Sequence, residues 1–292
     1  MNEKNKQYLF IGMVVSMLLW GLGWPSTKIL TGYATPIHVA ISRFLFTFTT
    51  LFFILIFLKQ KLTILKTGIV SLLLASVLMS VYTMFFLTGI QKGTPGAGGV
   101  LVTTLTPICT YAISILVSKR KPSRNESFGL LLGFIAACFM LHIWEGAQHI
   151  LQSGNAFFLL SCITWAILSR ITAKAQNFGS PLTFTFWMYI LCFIFLFPFA
   201  TQIELWSMFK IKEGKFWLNL LYNACINTGL ATTFYFFATS KLGASKSSSF
   251  LYIVPFAAAF FSWLLLNETF HWNTIVGGIF GITAVYVFNA KR

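Results

Sequence analysis

Residues 16–28 read SMLLWGLGWPSTK, and 145 positions further on residues 161–173 read SCITWAILSRITA. Ser16, Trp20 and Thr27 fall on Ser161, Trp165 and Thr172, and the next proline after each stretch, Pro36 or Pro181, keeps the same step. A second register, 148 positions apart, brings Pro107, Ser114, Leu116, Asn125, Gly129, Gly133 and Ala136 onto Pro255, Ser262, Leu264, Asn273, Gly277, Gly281 and Ala284. Self-similarity at a fixed period marks a repeated structural unit. The chain therefore reads as two copies of one unit, residues 1–145 and 146–292.

Working outward from these landmarks, apolar runs between charged or Gly/Pro-rich breaks cover 8–30, 36–58, 68–90, 97–117, 127–143, 155–172, 181–200, 216–239, 248–266 and 272–290. A helical span of the bilayer takes about 20 apolar residues. The expected fold is an all-α integral membrane protein with ten transmembrane helices arranged as two inverted five-helix repeats. Inversion follows because an odd number of spans per copy turns the second copy upside down. Composition agrees: of 292 residues, 57% are hydrophobic, 17% aromatic and only 9% charged, where a soluble domain carries about 25% charged residues. Ten spans leave no room for a sizeable soluble domain or a nucleic-acid-binding module.

The net charge of +15 is first a topology signal. With the N-terminus inside, fifteen of the lysines and arginines fall on the cytoplasmic side, and only Lys92, Lys210, Lys212 and Lys215 fall outside. That bias obeys the positive-inside rule and predicts a multi-pass protein of a bacterial inner membrane with both termini cytoplasmic. The run 8–30 follows a lysine-bearing start but is long enough to span and has an internal counterpart, so it is expected to be a retained first helix and not a cleaved signal. The cysteines Cys109, Cys138, Cys162, Cys192 and Cys225 all sit in apolar runs without ligand or C-x-x-C spacing, and read as small buried hydrophobes.

Three features then combine: the stretch Trp20-Gly21-Leu22-Gly23-Trp24-Pro25-Ser26-Thr27-Lys28, a second span opening at Pro36 and carrying Arg43, and Pro255 followed by Glu268, Gly277 and Gly281. Together they resemble the drug/metabolite transporter superfamily, in its ten-helix EamA type, over essentially the whole chain. The resemblance implies an inverted-repeat exporter or exchanger of small metabolites whose central cavity opens alternately to each side. Two positions depart from symmetry: Arg120 stands where the second copy has Glu268, and Met188 where the first has Arg43. The expected site is asymmetric.

The chain has no aspartate, and its glutamates Glu3, Glu126, Glu145, Glu204, Glu213 and Glu268 fall at helix ends or in loops. A proton- or sodium-coupled carrier commonly keeps a carboxylate within the membrane, so facilitated diffusion or exchange is the simpler mechanism. Two cations remain inside spans, Lys28 and Arg43. Lys28, near a helix end, can reach the interface by snorkelling; Arg43 is about 10 Å beyond Pro36 along the helix, too deep for that alone. If both face a cavity, they attract a carboxylate or phosphate.

Trp20 and Trp24 share one helix face, as do Asn223 and Asn227. The asparagines either join neighbouring helices or orient a polar solute. Trp20 and Trp165, with Tyr82, Tyr111, Tyr235 and Tyr252, are candidates for an aromatic cavity able to stack a ring or hold an ammonium. Pro107 and Pro255 remove an amide donor in matching spans and permit bends. Gly129 and Gly133, with Gly277 and Gly281, give smooth helix faces for contact between the repeats or between two copies of the chain.

The histidines His38, His142, His149 and His271 show no compact ligand spacing, so no metal and no cofactor is expected. A polytopic enzyme acting on lipid would need an acid, base or metal group, and the sequence offers few. The reading is a transporter and not an enzyme. Its solutes are small polar metabolites such as amino acids, or alternatively a bulkier anion or cofactor such as an organic phosphate or S-adenosylmethionine. Its other partners are lipid and, for a homodimer, a second copy.

Overall fold

Proline sets three of the helix starts. Pro36 and Pro181 each occupy the first turn of a helix, preceded by Thr35 (φ −69°, ψ 156°) and Ser180 (φ −70°, ψ 131°) in extended geometry, and Pro95 opens a third. A fixed φ and an amide that would have gone unpaired anyway suit proline to this position. The computed structural model describes residues 3–93, 95–119, 121–140, 144, 154–200, 206, 208–266 and 272–289. Among these there is no β-strand.

The first part of the chain forms α1 (Glu3–Thr31), α2 (Pro36–Phe57), α3 (Ile69–Lys92), α4 (Pro95–Ser118) and α5 (Arg124–Met140). The second forms α6 (Asn155–Thr172), α7 (Pro181–Leu196), α8 (Gly214–Leu221), α9 (Thr233–Leu242), α10 (Ala244–Ser249), α11 (Val254–Leu266) and α12 (Trp272–Asn289). A π-helix, Tyr222–Thr232, joins α8 to α9, and a 3-10 turn, Phe250–Ile253, joins α10 to α11. Gly243, at φ 85°, separates α9 from α10; a side chain there would strain the backbone. The 216–239 run, expected as an ordinary helix, is thus three segments, α then π then α.

Six stretches among the described residues are long and apolar enough to cross a bilayer: Asn5–Thr31, Pro36–Phe57, Lys66–Lys92, Ala156–Asn177, Pro181–Phe199 and Ala244–Leu265. Their outer faces expose large apolar side chains such as Phe53, Phe57 and Val70, as a lipid environment requires. In that medium backbone groups must be satisfied internally. Hydroxyls inside the bundle follow suit: Ser16, Thr27, Thr47, Ser76 and Thr172 each bond the carbonyl one turn back, hiding their donors within their own helix.

The helices pack across the two parts of the chain. α3 and α4 lie on α6, while the π segment and α11 lie on α1; α3 lies on α7 and the π segment on α2. α2 also packs on α7, and α5 on α12. Small residues permit the close approaches. A Cβ at Gly21 would collide with Ala257 and the backbone of Ala258, and one at Gly98 with the Phe158 ring. Gly133 of α5 forms the recess for the Tyr252 ring. Gly277 and Gly281 lie on α12, and Ala136 and Ala284, 148 positions apart, are both buried. Pro107 lies within the continuous helix α4, whereas Pro255 is the second residue of α11, just beyond the 3-10 turn.

Candidate functional site

A cavity of about 60 Å³ lies where α1, α2, α3, α4, α6 and the π segment converge. Of the residues singled out by sequence, Trp20, Trp24, Arg43, Tyr82, Trp165 and Asn227 line it. Gly23, Met79, Phe86, Val102, Thr103, Thr106, Thr228, Thr232 and Leu251 complete the wall, and none of these was expected there. The threonine spacings Thr103/Thr106 and Thr228/Thr232 put each pair on one helix face, the only sequence signal that could have found them.

Aromatic rings form one side. Trp20 meets Trp165 edge to face at 5.2 Å, and Tyr82 and Tyr235 approach Trp165 at 4.6 and 5.7 Å. Phe236 stacks on Trp165 at 5.5 Å, and Trp24 contacts Phe86 at 4.9 Å. The rings thus pack on one another, and Tyr235 supports the wall from behind without lining the cavity.

The other side is polar. Trp20 Nε1 donates to Thr232 Oγ1 (3.1 Å), whose hydroxyl donates to the Asn227 carbonyl (3.0 Å). Asn227 Nδ2 donates to Asn223 Oδ1 (3.2 Å), and Asn223 Nδ2 donates to Ser26 Oγ (2.7 Å). Ser26 then donates to Asn219 Oδ1 (2.6 Å), and Thr27 Oγ1 lies 3.0 Å from Asn223 Oδ1. This chain of bonds ties α1 to the π segment. Asn223 is therefore the centre of the tie and not part of the lining, while Asn227 Oδ1 is buried with no hydrogen-bond partner.

Arg43 is the charged member. It is 4% exposed, its Nη2 donates to Thr83 Oγ1 at a long 3.4 Å, and its Nε has no partner. Phe44 lies under the guanidinium at 5.8 Å, and Tyr82, Tyr189 and Cys192 are its polar neighbours. No carboxylate among the described side chains is near it. Glu126 forms a reciprocal cap with Ser123 at the start of α5, and Glu213 is exposed. A cation left unpaired in a low-dielectric interior is costly, so the site holds unspent attraction for an anion.

The model of the EamA-like transporter family matches residues 7–142 and, a second time, residues 152–290. The chain belongs to the EamA-like transporter family. It is a multi-pass membrane protein and a transporter of the drug/metabolite superfamily. Among relatives, the uncharacterized transporter YoaV of Bacillus subtilis (strain 168) is 27% identical over 277 residues, covering 93% of each chain. An uncharacterized transporter of Archaeoglobus fulgidus is 23% identical and covers 97% of this chain and 99% of its own. The WAT1-related protein At3g02690, chloroplastic, of Arabidopsis thaliana is 23% identical over 70% of this chain and 51% of its own. In three dimensions, one protein of known crystal structure shares the fold with a TM-score of 0.74 over 97% of both chains, at 13% identity.

The remaining candidates of this EamA-like transporter lie elsewhere. Lys28 Nζ donates to the carbonyls of Ile90 and Gly93, both at 2.9 Å, and so caps the C-terminal end of α3 instead of facing the cavity. A cation suits that position because the helix dipole is negative there. Tyr111 is buried in α4, and Tyr252 fills the recess at Gly133; neither lines the cavity. His38 pairs with Thr35 through Nδ1 at 2.5 Å. His142, His149, His271, Glu145, Glu204, Glu268 and Arg120 fall outside the described residues.

Proposed function

We propose that this chain is a secondary transporter carrying small polar metabolites, such as amino acids, across a bacterial inner membrane by alternating access. Its ten spans are α1 to α7, the α8–π–α9 rod, the α10–α11 rod and α12, forming inverted repeats over 1–145 and 146–292. The double match of the family model supports the two copies. So does the packing. When α1 to α5 are exchanged with the five later spans in order, the α6–α4 contact becomes α1–α11, and α3–α7 becomes the π segment on α2; α2–α7 and α5–α12 map onto themselves. Rocking of one half against the other about such an arrangement is the usual route of alternating access.

The observation that carries the reading is the cavity at the meeting point of the halves, walled by Trp20 and Trp165 and holding buried Arg43. Polar groups and a charge so far inside a membrane bundle are costly unless function keeps them there. At about 60 Å³ the cavity holds a few water molecules, less than a metabolite, so one side must widen to admit a solute. Without a membrane carboxylate to carry a proton or sodium ion among the described residues, exchange or facilitated diffusion is the mechanism favoured.

Purified protein in liposomes loaded with unlabelled solute tests this. Uptake of labelled solute should accelerate when the same solute is inside and should saturate. Absence of counterflow across a broad metabolite panel removes the carrier reading. Reporter fusions at the two ends should both report the cytoplasm, as the excess of basic residues in loops assigned to that side implies.

A further inference from the structure

Resting on the carrier reading, we propose that the recognised group of the solute is a single carboxylate bound by Arg43, and that the site takes a monocarboxylate with an apolar or aromatic body whether or not it bears an amine.

The charge of the site fixes the charge of the ligand. Sequence offered two cations, Lys28 and Arg43, but Lys28 spends its ammonium on the carbonyls of Ile90 and Gly93. In the second half, the position corresponding to Arg43 holds Met188, which is fully buried. One guanidinium is left. A phosphate monoester carries about −1.5 to −2 at neutral pH, and would bring surplus negative charge into a desolvated cavity with no second cation to meet it. A carboxylate brings one charge in a flat shape that a guanidinium grips through two parallel hydrogen bonds.

Several other donors on the wall are already committed, and Trp165 Nε1, which is buried without a partner, is neutral. Trp20 Nε1 serves Thr232, and Asn227 Nδ2 serves Asn223. The Thr103 and Thr106 hydroxyls bond the carbonyls of Gly99 and Val102. Arg43 keeps its Nε without a partner and only a long contact at Nη2, so it is the charged donor with capacity to spare.

Nothing comparable awaits an ammonium. No described carboxylate reaches the cavity, and of the rings that sequence offered as an ammonium cage, Trp20, Tyr82, Trp165 and Tyr235 pack on one another at 4.6 to 5.7 Å, centroid to centroid, while Tyr111 and Tyr252 do not line the cavity. The buried acceptor left without a partner on the wall is neutral: Asn227 Oδ1. It can receive an amine or hydroxyl proton but does not demand a charge. The apolar part of the solute meets Trp20, Trp24, Tyr82, Phe86 and Trp165.

Four probes sharing one ring separate the head groups: 3-phenylpropanoate, phenylalanine, phenethylamine and phenyl phosphate. Thermal shift of the purified protein and counterflow in liposomes are read for each. 3-Phenylpropanoate and phenylalanine should stabilise the protein and exchange; phenethylamine and phenyl phosphate should do neither. Arg43→Gln should weaken the carboxylate response roughly 10- to 100-fold, the range for a lost hydrogen bond to a charged group. Its midpoint without ligand should stay at or above wild type, because an unpaired buried charge has been removed; a purely structural arginine would instead lower it. Arg43→Lys, which keeps the charge but loses the fork, should retain a weakened response. Binding of phenethylamine or phenyl phosphate as tight as that of 3-phenylpropanoate overturns the proposal, as does an unchanged carboxylate response in Arg43→Gln. Exchange of an uncharged solute with no response to any carboxylate also overturns it, while leaving the carrier reading intact.

Discussion

Trp20 and Trp165 correspond across the two halves of the chain and touch one another edge to face, with ring centroids 5.2 Å apart and planes at 83°. Trp165 is buried among Tyr82, Tyr235 and Phe236, so its removal leaves a void that its neighbours fill only in part. Trp165→Ala should destabilise the protein by about 3–5 kcal/mol, seen as a large fall in the melting midpoint in detergent. Trp165→Phe should cost much less. Equal midpoints for the two variants would contradict the packing role.

Lys28 and Arg43 should separate experimentally. Lys28→Met removes the cap on Ile90 and Gly93 and should cost about 1 kcal/mol of stability, with the half-saturation constant for solute unaltered. Arg43→Gln should do the reverse. A shift in solute affinity for Lys28→Met larger than its shift in stability would place Lys28 at the site after all.

Gly21 is held against Ala257 and the backbone of Ala258, where no flexible side chain can step aside. Gly21→Ala should therefore force α1 away from α11 at a cost of about 1–3 kcal/mol. A chemical cross-link between cysteines introduced on these two helices would report the separation. At Gly98 the obstacle is the Phe158 ring, so pairing Gly98→Ala with Phe158→Leu should recover part of the loss.

Asn223 joins α1 and the π segment through Ser26, Thr27, Asn219 and Asn227. Asn223→Leu leaves several of these buried groups unpaired. At about 1–3 kcal/mol for each orphan, it should be the most damaging polar-to-apolar change in the bundle. Asn223→Asp brings a charge to the same place, and its midpoint should rise on acidification as the carboxyl becomes neutral. A midpoint for Asn223→Leu close to wild type would show that the tie bears little weight.

Much of this was legible in the residues, for physical reasons that differ by element. The run 155–172 predicted the bounds of α6 (Asn155–Thr172), and Pro36 and Pro181 fixed the starts of α2 and α7 because proline announces a first turn. α10 was missed: its sequence, ASKSSS, is too polar for an apolar run to reach it. The π winding of 222–232 left no trace, since apolar spacing at helical period does not distinguish 3.6 residues per turn from a wider coil. In the site, Arg43 stood out because charge within a span is rare. The orientation of Lys28 was open, since a long side chain one turn from a helix end can swing to either side. The lining threonines were hidden because a threonine bonded to its own helix looks like any other.

On the ten-span carrier reading proposed above, the winding of the eighth span has a kinetic consequence. α3 is an ordinary α-helix along its whole length, whereas its counterpart devotes the eleven residues Tyr222–Thr232 to a π coil. In an alternating-access carrier, two halves that differ in this way would not trade places in energy, and the inward-facing and outward-facing forms would be unequally populated at rest. Solute then meets different apparent affinities on the two faces, and initial rates of entry and exit differ at equal concentrations. Detailed balance still forbids such a rectifier from concentrating an uncoupled solute: it hastens one direction only until the two sides are equal.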